Sequence, residues 1–224
     1  MNQNRLKKWI FHIWDEERGL STMLALIILG NFMLSNFLIS NKLAFNFMVL
    51  IWAFVVFSGI STLVESYKNK ILLMIIPVLS LTLSLIPEID NYPIIRIIKL
   101  LIDLGVHLIL LILVWKKVFE KGEVTTHRII GSIVAYLLMG NFFSKIYQYA
   151  YFNIPDSIQL PSFEPVATVP QATFLYFSYT TLTTTGFGDI LPIHPLVRQT
   201  VIIEQLIGVL YPVVLIGRLV SLKK

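Results

Sequence analysis

The run Thr183-Thr184-Thr185-Gly186-Phe187-Gly188-Asp189 joins a block of hydroxyl side chains to two glycines spaced two apart. Dehydrating a cation at low cost requires closely spaced oxygens, and an extended backbone supplies them when its carbonyls all face one axis. That geometry needs left-handed dihedrals at alternating positions, which glycine adopts without a Cβ penalty. Gly186 and Gly188 have that spacing, so the candidate ion ligands are the backbone of Thr184, Thr185, Gly186, Phe187 and Gly188. The stacked rings come from the carbonyls of Thr184 to Phe187, and the Thr184 hydroxyl adds one more at the cavity end. Thr183 and Asp189 flank the run as supports. One chain offers a single strand, so an axial path needs several copies, and four make the ring.

Such a strand has to be held inside a larger frame. Gln171–Leu182 reads as about three helical turns, opened by Pro170 where a helix start tolerates proline. It is too short to cross a bilayer and must enter and return, which is tolerated only where the following backbone is buried in protein or lines a water-filled path. Its C-terminal end near Leu182 directs the negative end of the helix dipole towards a cation.

The rest of the chain is apolar, with 56% hydrophobic and 14% charged residues. A soluble domain carries roughly 25% charged residues. Six segments of near-spanning length follow one another at 20–39, 43–64, 71–87, 94–115, 129–151 and 196–220. The fourth is interrupted by Arg96, Lys99, Asp103 and His107, the third carries Pro77, and the sixth contains Glu204, Gly208 and Pro212. The expected fold is an all-α membrane protein of six transmembrane helices plus a re-entrant helix and a strand. Placing the N-terminus in the cytoplasm puts most of the 18 Lys and Arg on the inner side, leaving Lys42, Arg96, Lys99, Lys145 and Arg198 elsewhere, so both termini are expected inside. The net charge of +5 therefore reports orientation, and no nucleic-acid partner is expected.

Residues 1–19 read as a cytoplasmic interfacial helix, with Leu6, Trp9, Ile10 and Ile13 at helical spacing and no leader to be removed. Four residues follow Val220, so no cytosolic regulatory module is expected after the last span. The absence of cysteine excludes disulfides and thiolate chemistry. Lys116, Lys117 and Lys121 suit anionic lipid headgroups, and Asp156, Glu164 and Asp189 give the outer side negative charge. His107 reads as a packed core histidine and Pro77 as a tolerated kink.

The run at 183–189 resembles the Thr-Val-Gly-Tyr-Gly-Asp filter of potassium channels, and 177–192 is similar to bacterial six-span channels of the voltage-gated-like superfamily. The similarity at motif level covers 128–220. It implies a homotetramer in the cell membrane that conducts K+ passively, with permeant K+ held at Thr184, Thr185, Gly186 and Phe187 and no cofactor. It also implies a four-helix, voltage-sensor-like domain at 20–121 and a pore domain at 122–224, comprising outer helix, pore helix, filter and inner helix. Thr185 stands where the family carries Val or Ile, Phe187 where it carries Tyr, and Tyr176 and Phe177 where it carries two tryptophans.

Arg96 and Lys99 begin the every-third-residue series of a voltage sensor, but the series fails at Ile102 and Gly105. Only weak voltage dependence, or none, is expected. Glu204 is read as a brace behind the filter or a tuner of external cation concentration, against a simply protonated or snorkelling side chain. Gly208 and Pro212 are candidate gate hinges. Two rival functions share the motif. A nonselective or sodium-permeable channel fits a threonine-rich filter, and Gly186-x-Gly188-Asp189 with Asp103 matches the signature of intramembrane aspartyl proteases.

Overall fold

The computed structural model describes residues 16–34, 42–64, 66–84, 92–120, 125–161 and 171–221. The interfacial helix expected near 6–13, Lys121, and the loop positions 162–170 with Glu164 and Pro170 lie outside them. Two units are resolved, Met1–Ala135 and Tyr136–Lys224.

In the first unit, α1 (Glu16–Ile28) runs on as a π-helical stretch, Leu29–Leu34, and is followed by α2 (Lys42–Leu63), α3 (Tyr67–Ser84) and α4 (Pro93–Val118). The start of α5 (Thr126–Asn153) belongs here as well. Helical spacing decides what is buried. Leu20, Met23 and Ile27 face inward from α1, Val55, Val56 and Ile60 from α2, and Val106, Leu110, Val114 and Val118 from α4. Small residues set the approach of α1 to α2: a Cβ at Gly19 would overlap the Thr62 side chain, and Ser58 Oγ donates to the Gly19 carbonyl at 3.0 Å.

Pro93 opens α4 after an extended Tyr92, and Lys116 and Lys117 sit in its last turn, where cations favour the helix dipole. Ser80 of α3, which also holds Pro77, donates to Asp103 Oδ1 of α4. His107 is buried, stacks on Trp52 with ring centroids 4.4 Å apart, and brings Nδ1 to 2.7 Å from the Asp103 carbonyl. A carbonyl only accepts, so Nδ1 carries the proton and the ring is held as a packed core histidine.

Helices occupy each of the six expected segments. Three of them, Ile94–Val118, Thr126–Asn153 and Pro195–Arg218, are long and apolar enough to cross a membrane by length and composition. The described apolar stretches in the first two segments, Gly19–Phe32 and Val49–Leu63, are shorter.

The second unit contains the remainder of α5, then β1 (Ile158–Gln159), α6 (Gln171–Leu182), β2 (Leu191–Pro192) and α7 (Pro195–Ser221). β1 pairs antiparallel with β2, Ile158 opposite Pro192 and Gln159 opposite Leu191. This ribbon lies outside the expected elements: the strand was expected at 183–189, where the backbone is turn, irregular and bend. Two-residue strands are too short to show an alternating pattern in sequence, and the pairing is set by Ile193 and His194 N–H groups donating to the Ser157 carbonyl at 2.9 and 3.1 Å. Phe143, Tyr147, Ala150, Phe174, Phe177, Ile190 and Val197 form the core around α6. Tyr147 and Phe177 rings lie 4.8 Å apart, and Tyr151 and Phe174 rings 5.3 Å apart. By contrast α7 presents Leu196, Ile203, Leu206, Leu210 and Val213 outward.

Candidate functional site

The site begins where α6 stops. The Thr184 N–H donates to the Thr181 carbonyl at 2.9 Å and the Thr185 N–H to the Thr180 carbonyl at 2.8 Å. These two bonds are the Schellman closure of a helix C-terminus, which needs a left-handed residue just past the last turn. Thr184 fills that position at φ +57°. Glycine is the usual occupant, and a β-branched side chain there is strained. The Gly186 N–H also donates to the Thr180 carbonyl, at 3.1 Å, so the helix end grips the first residues of the strand.

Beyond the cap the left-handed conformation recurs at every second residue: Thr184 at +57°, Gly186 at +51° and Gly188 at +79°. Alternation of this kind turns successive peptide carbonyls towards one side and N–H groups towards the other. A Cβ at Gly186 or Gly188 would meet nothing within 4 Å in this chain. Glycine is needed there for its dihedral and for no steric reason within the subunit. All of 183–189 is exposed in the single chain.

The flanking side chains hold the strand against α6. Thr183 Oγ1 donates to the Tyr179 carbonyl at 2.7 Å and lies 2.9 Å from Thr185 Oγ1, so Thr185 makes a polar link. At the outer end Tyr176 of α6 stacks on Phe187, with ring centroids 6.3 Å apart and planes 2° from parallel. Its hydroxyl donates to Asp189 Oδ2 at 2.8 Å, while Asp189 Oδ1 accepts from the Ile190 N–H at 3.1 Å. The Tyr176 phenol is held above its usual pKa range by burial first, and then by the bond to Asp189 and its negative charge. The outer end of the segment is thus tied to α6 through the aspartate.

The other two long elements meet α6 from behind. Tyr136 of α5 donates to the Leu182 carbonyl at 3.2 Å, Tyr179 donates to the Leu137 carbonyl at 3.0 Å, and a Cβ at Gly140 would overlap the Tyr179 ring. Glu204 of α7 is fully buried, accepts from Tyr147 of α5 at 2.5 Å and is hydrogen-bonded to Ser178 of α6, also at 2.5 Å. Gly208, one turn further along α7, lies against the Leu182 backbone, where a Cβ would overlap the carbonyl oxygen. Pro212 follows inside α7 and contributes no N–H to its ladder.

Thr183, Thr184, Thr185, Gly186, Phe187, Gly188 and Asp189 therefore form one continuous irregular segment on the end of α6, without regular β pairing, with Glu204 and Gly208 behind it. Arg96, Lys99 and Asp103 belong to the first unit, and Asp103 accepts from Ser80. Tyr136, Tyr147, Ser178 and Tyr179 were not singled out in sequence. The available signal was weak: hydroxyl side chains inside apolar segments, whose partners lie tens of residues away.

No curated protein and no solved structure matches the chain. Residues 131–222 match a family model described as "Ion channel". The matched stretch runs from α5 through α6 and the 183–189 strand to α7, and with the apolar helices it supports an ion-channel family and a place in a membrane for this chain.

Proposed function

We propose that four copies of this chain form a potassium-selective channel in the cell membrane, with the 183–189 strands as its filter. The observation that carries the reading is the left-handed φ at Thr184, Gly186 and Gly188 in strict alternation. A strand of that kind, exposed in the single chain and anchored at one end by a helix cap, presents a column of carbonyls that only a ring of copies can close around an ion. Each dehydrated K+ then exchanges its water shell for the carbonyls of Thr184, Thr185, Gly186 and Phe187. Conduction follows because neighbouring sites repel one another's ions and keep each from being held too tightly.

In this reading 122–224 is the pore domain and 20–121 a sensor-like domain with at most weak voltage dependence. The protein passes the membrane six times with both termini cytoplasmic, and anionic lipids meet Lys116, Lys117 and Lys121. Permeant K+ is the ion served, and the partner is a second, third and fourth copy of the chain. The test is purified protein in liposomes loaded with potassium salt, together with its mass in detergent. Potassium efflux at least about tenfold above sodium efflux, from a species of four chains, is expected. Equal fluxes of the two ions would replace this reading with the nonselective one, and a monomeric conducting species would remove the ring.

A further inference from the structure

Ser178 has one hydroxyl proton but two acceptors within reach, the Gly140 carbonyl at 2.8 Å and Glu204 Oε1 at 2.5 Å. A serine hydroxyl donates once and accepts through its lone pairs. Both contacts are hydrogen bonds together only if the proton between Ser178 and Glu204 sits on the carboxyl. The chain then runs Glu204 Oε1–H to Ser178 Oγ, and Ser178 Oγ–H to the Gly140 carbonyl. Tyr147, also buried, donates to the remaining carboxyl oxygen, Oε2. Every polar group in the cluster is then satisfied. An ionised carboxylate would leave two oxygens facing each other without a proton and would rest on two neutral hydroxyls at membrane depth, where a lone charge is expensive.

The cluster also fixes a register. Glu204 and Gly208 lie four residues apart on one face of α7, and their contacts on α6, Ser178 and Leu182, are four apart as well. Leu182 is the last residue of α6 before the strand. A displacement of α7 or α5 at Glu204 therefore carries over to the point where the strand begins.

We infer that Glu204 is a proton-bearing positioning residue, whose neutral carboxyl ties α5, α6 and α7 together and sets where the filter starts; the filter part of this rests on the channel reading above. Neutrality separates this role from a tuner of cation concentration, which would need the charge. Glutamine reproduces the bonding, since its amide N–H donates to Ser178 and its carbonyl accepts from Tyr147.

Two measurements on the full-length protein in liposomes test it. Infrared difference spectra between wild type and Glu204→Gln should show a carboxylic-acid carbonyl band present only in the wild type. The K+ to Na+ permeability ratio of Glu204→Gln should stay within about threefold of wild type, while Glu204→Ala, which leaves the buried Tyr147 hydroxyl without its acceptor and removes the link to Ser178, should lower it about tenfold or more. If the alanine variant does not assemble, Tyr147→Phe and Ser178→Ala, each missing one hydroxyl, are expected to show the same loss in smaller measure. A missing acid band overturns the proton, and a glutamine variant as damaged as the alanine one, or Tyr147→Phe and Ser178→Ala both equal to wild type, overturns the positioning role. If wild type passes no potassium, the channel reading and the positioning role fall together, while the infrared band still decides the proton.

Discussion

Replacing Gly186 with alanine isolates the dihedral demand on the proposed filter. Gly186 sits at φ +51°, and a Cβ there would meet nothing within 4 Å in the chain. No clash adds to the conformational penalty, which is about 1–2 kcal/mol for an L-residue in the left-handed region. A penalty of that size moves a local equilibrium by a factor of about 5–30. The strand then has a cheaper alternative, in which residue 186 returns to negative φ and a neighbouring carbonyl turns off the axis. In the proposed ring of four the penalty would apply to every copy, about 4–8 kcal/mol in all. Folding of the helices should be little affected, because a Cβ at position 186 would touch none of them. The expected outcome in planar bilayers is loss of potassium-selective current by at least about tenfold, with melting temperature in detergent shifted by only a few degrees. Gly186→Ala channels that carry wild-type potassium current with wild-type selectivity would refute the filter geometry.

Gly208→Ala should act oppositely, on assembly of the unit. The new Cβ would overlap the backbone carbonyl of Leu182, which cannot swing aside as a side chain would, so a loss of about 1–3 kcal/mol in thermal stability is expected. Tyr176→Phe removes the donor to Asp189 while leaving the ring on Phe187; with about 1.5–3 kcal/mol at stake for a bond to a charged group, potassium selectivity during sustained opening should fall, as read from reversal potentials over time. Arg96→Gln combined with Lys99→Gln should leave the conductance–voltage curve unchanged in bilayers held from about −100 to +100 mV, since each charge gains roughly 2.3 kcal/mol per 100 mV only by crossing the whole field. A steep curve that flattens in the double variant would show that α4 senses voltage.

Much of this architecture was legible because membrane segments and glycine spacing are local signals. Apolar stretches of near-spanning length marked where α2, α4, α5 and α7 lie, and Gly186 with Gly188 marked two of the three left-handed positions. Thr184 was marked as a candidate ligand but not as a left-handed residue, since a β-branched side chain is the last choice for that conformation and only the closed helix cap around it explains why it is held there. Tyr176 was visible as the residue in place of a tryptophan, yet its bond to Asp189 depends on how α6 and the strand fold back on each other. Glu204 was conspicuous as a carboxylate in an apolar helix. Its partners were not, because Tyr147 precedes it by 57 residues and Ser178 by 26. Gly208 was read equally as a hinge and as an ordinary packing glycine; the structure supplies the packing reason, the close approach of α7 to the end of α6. The β1–β2 ribbon left no sequence trace at two residues per strand.

The most direct test of the central claim is the reversal potential of the wild-type protein in a planar bilayer with mixed potassium and sodium on either side. A potassium-selective filter at 183–189 predicts a shift of about 59 mV for each tenfold change in the potassium gradient, the single-charge equilibrium value, with little response to sodium. A reversal potential that ignores the potassium gradient, or follows sodium equally, would contradict it.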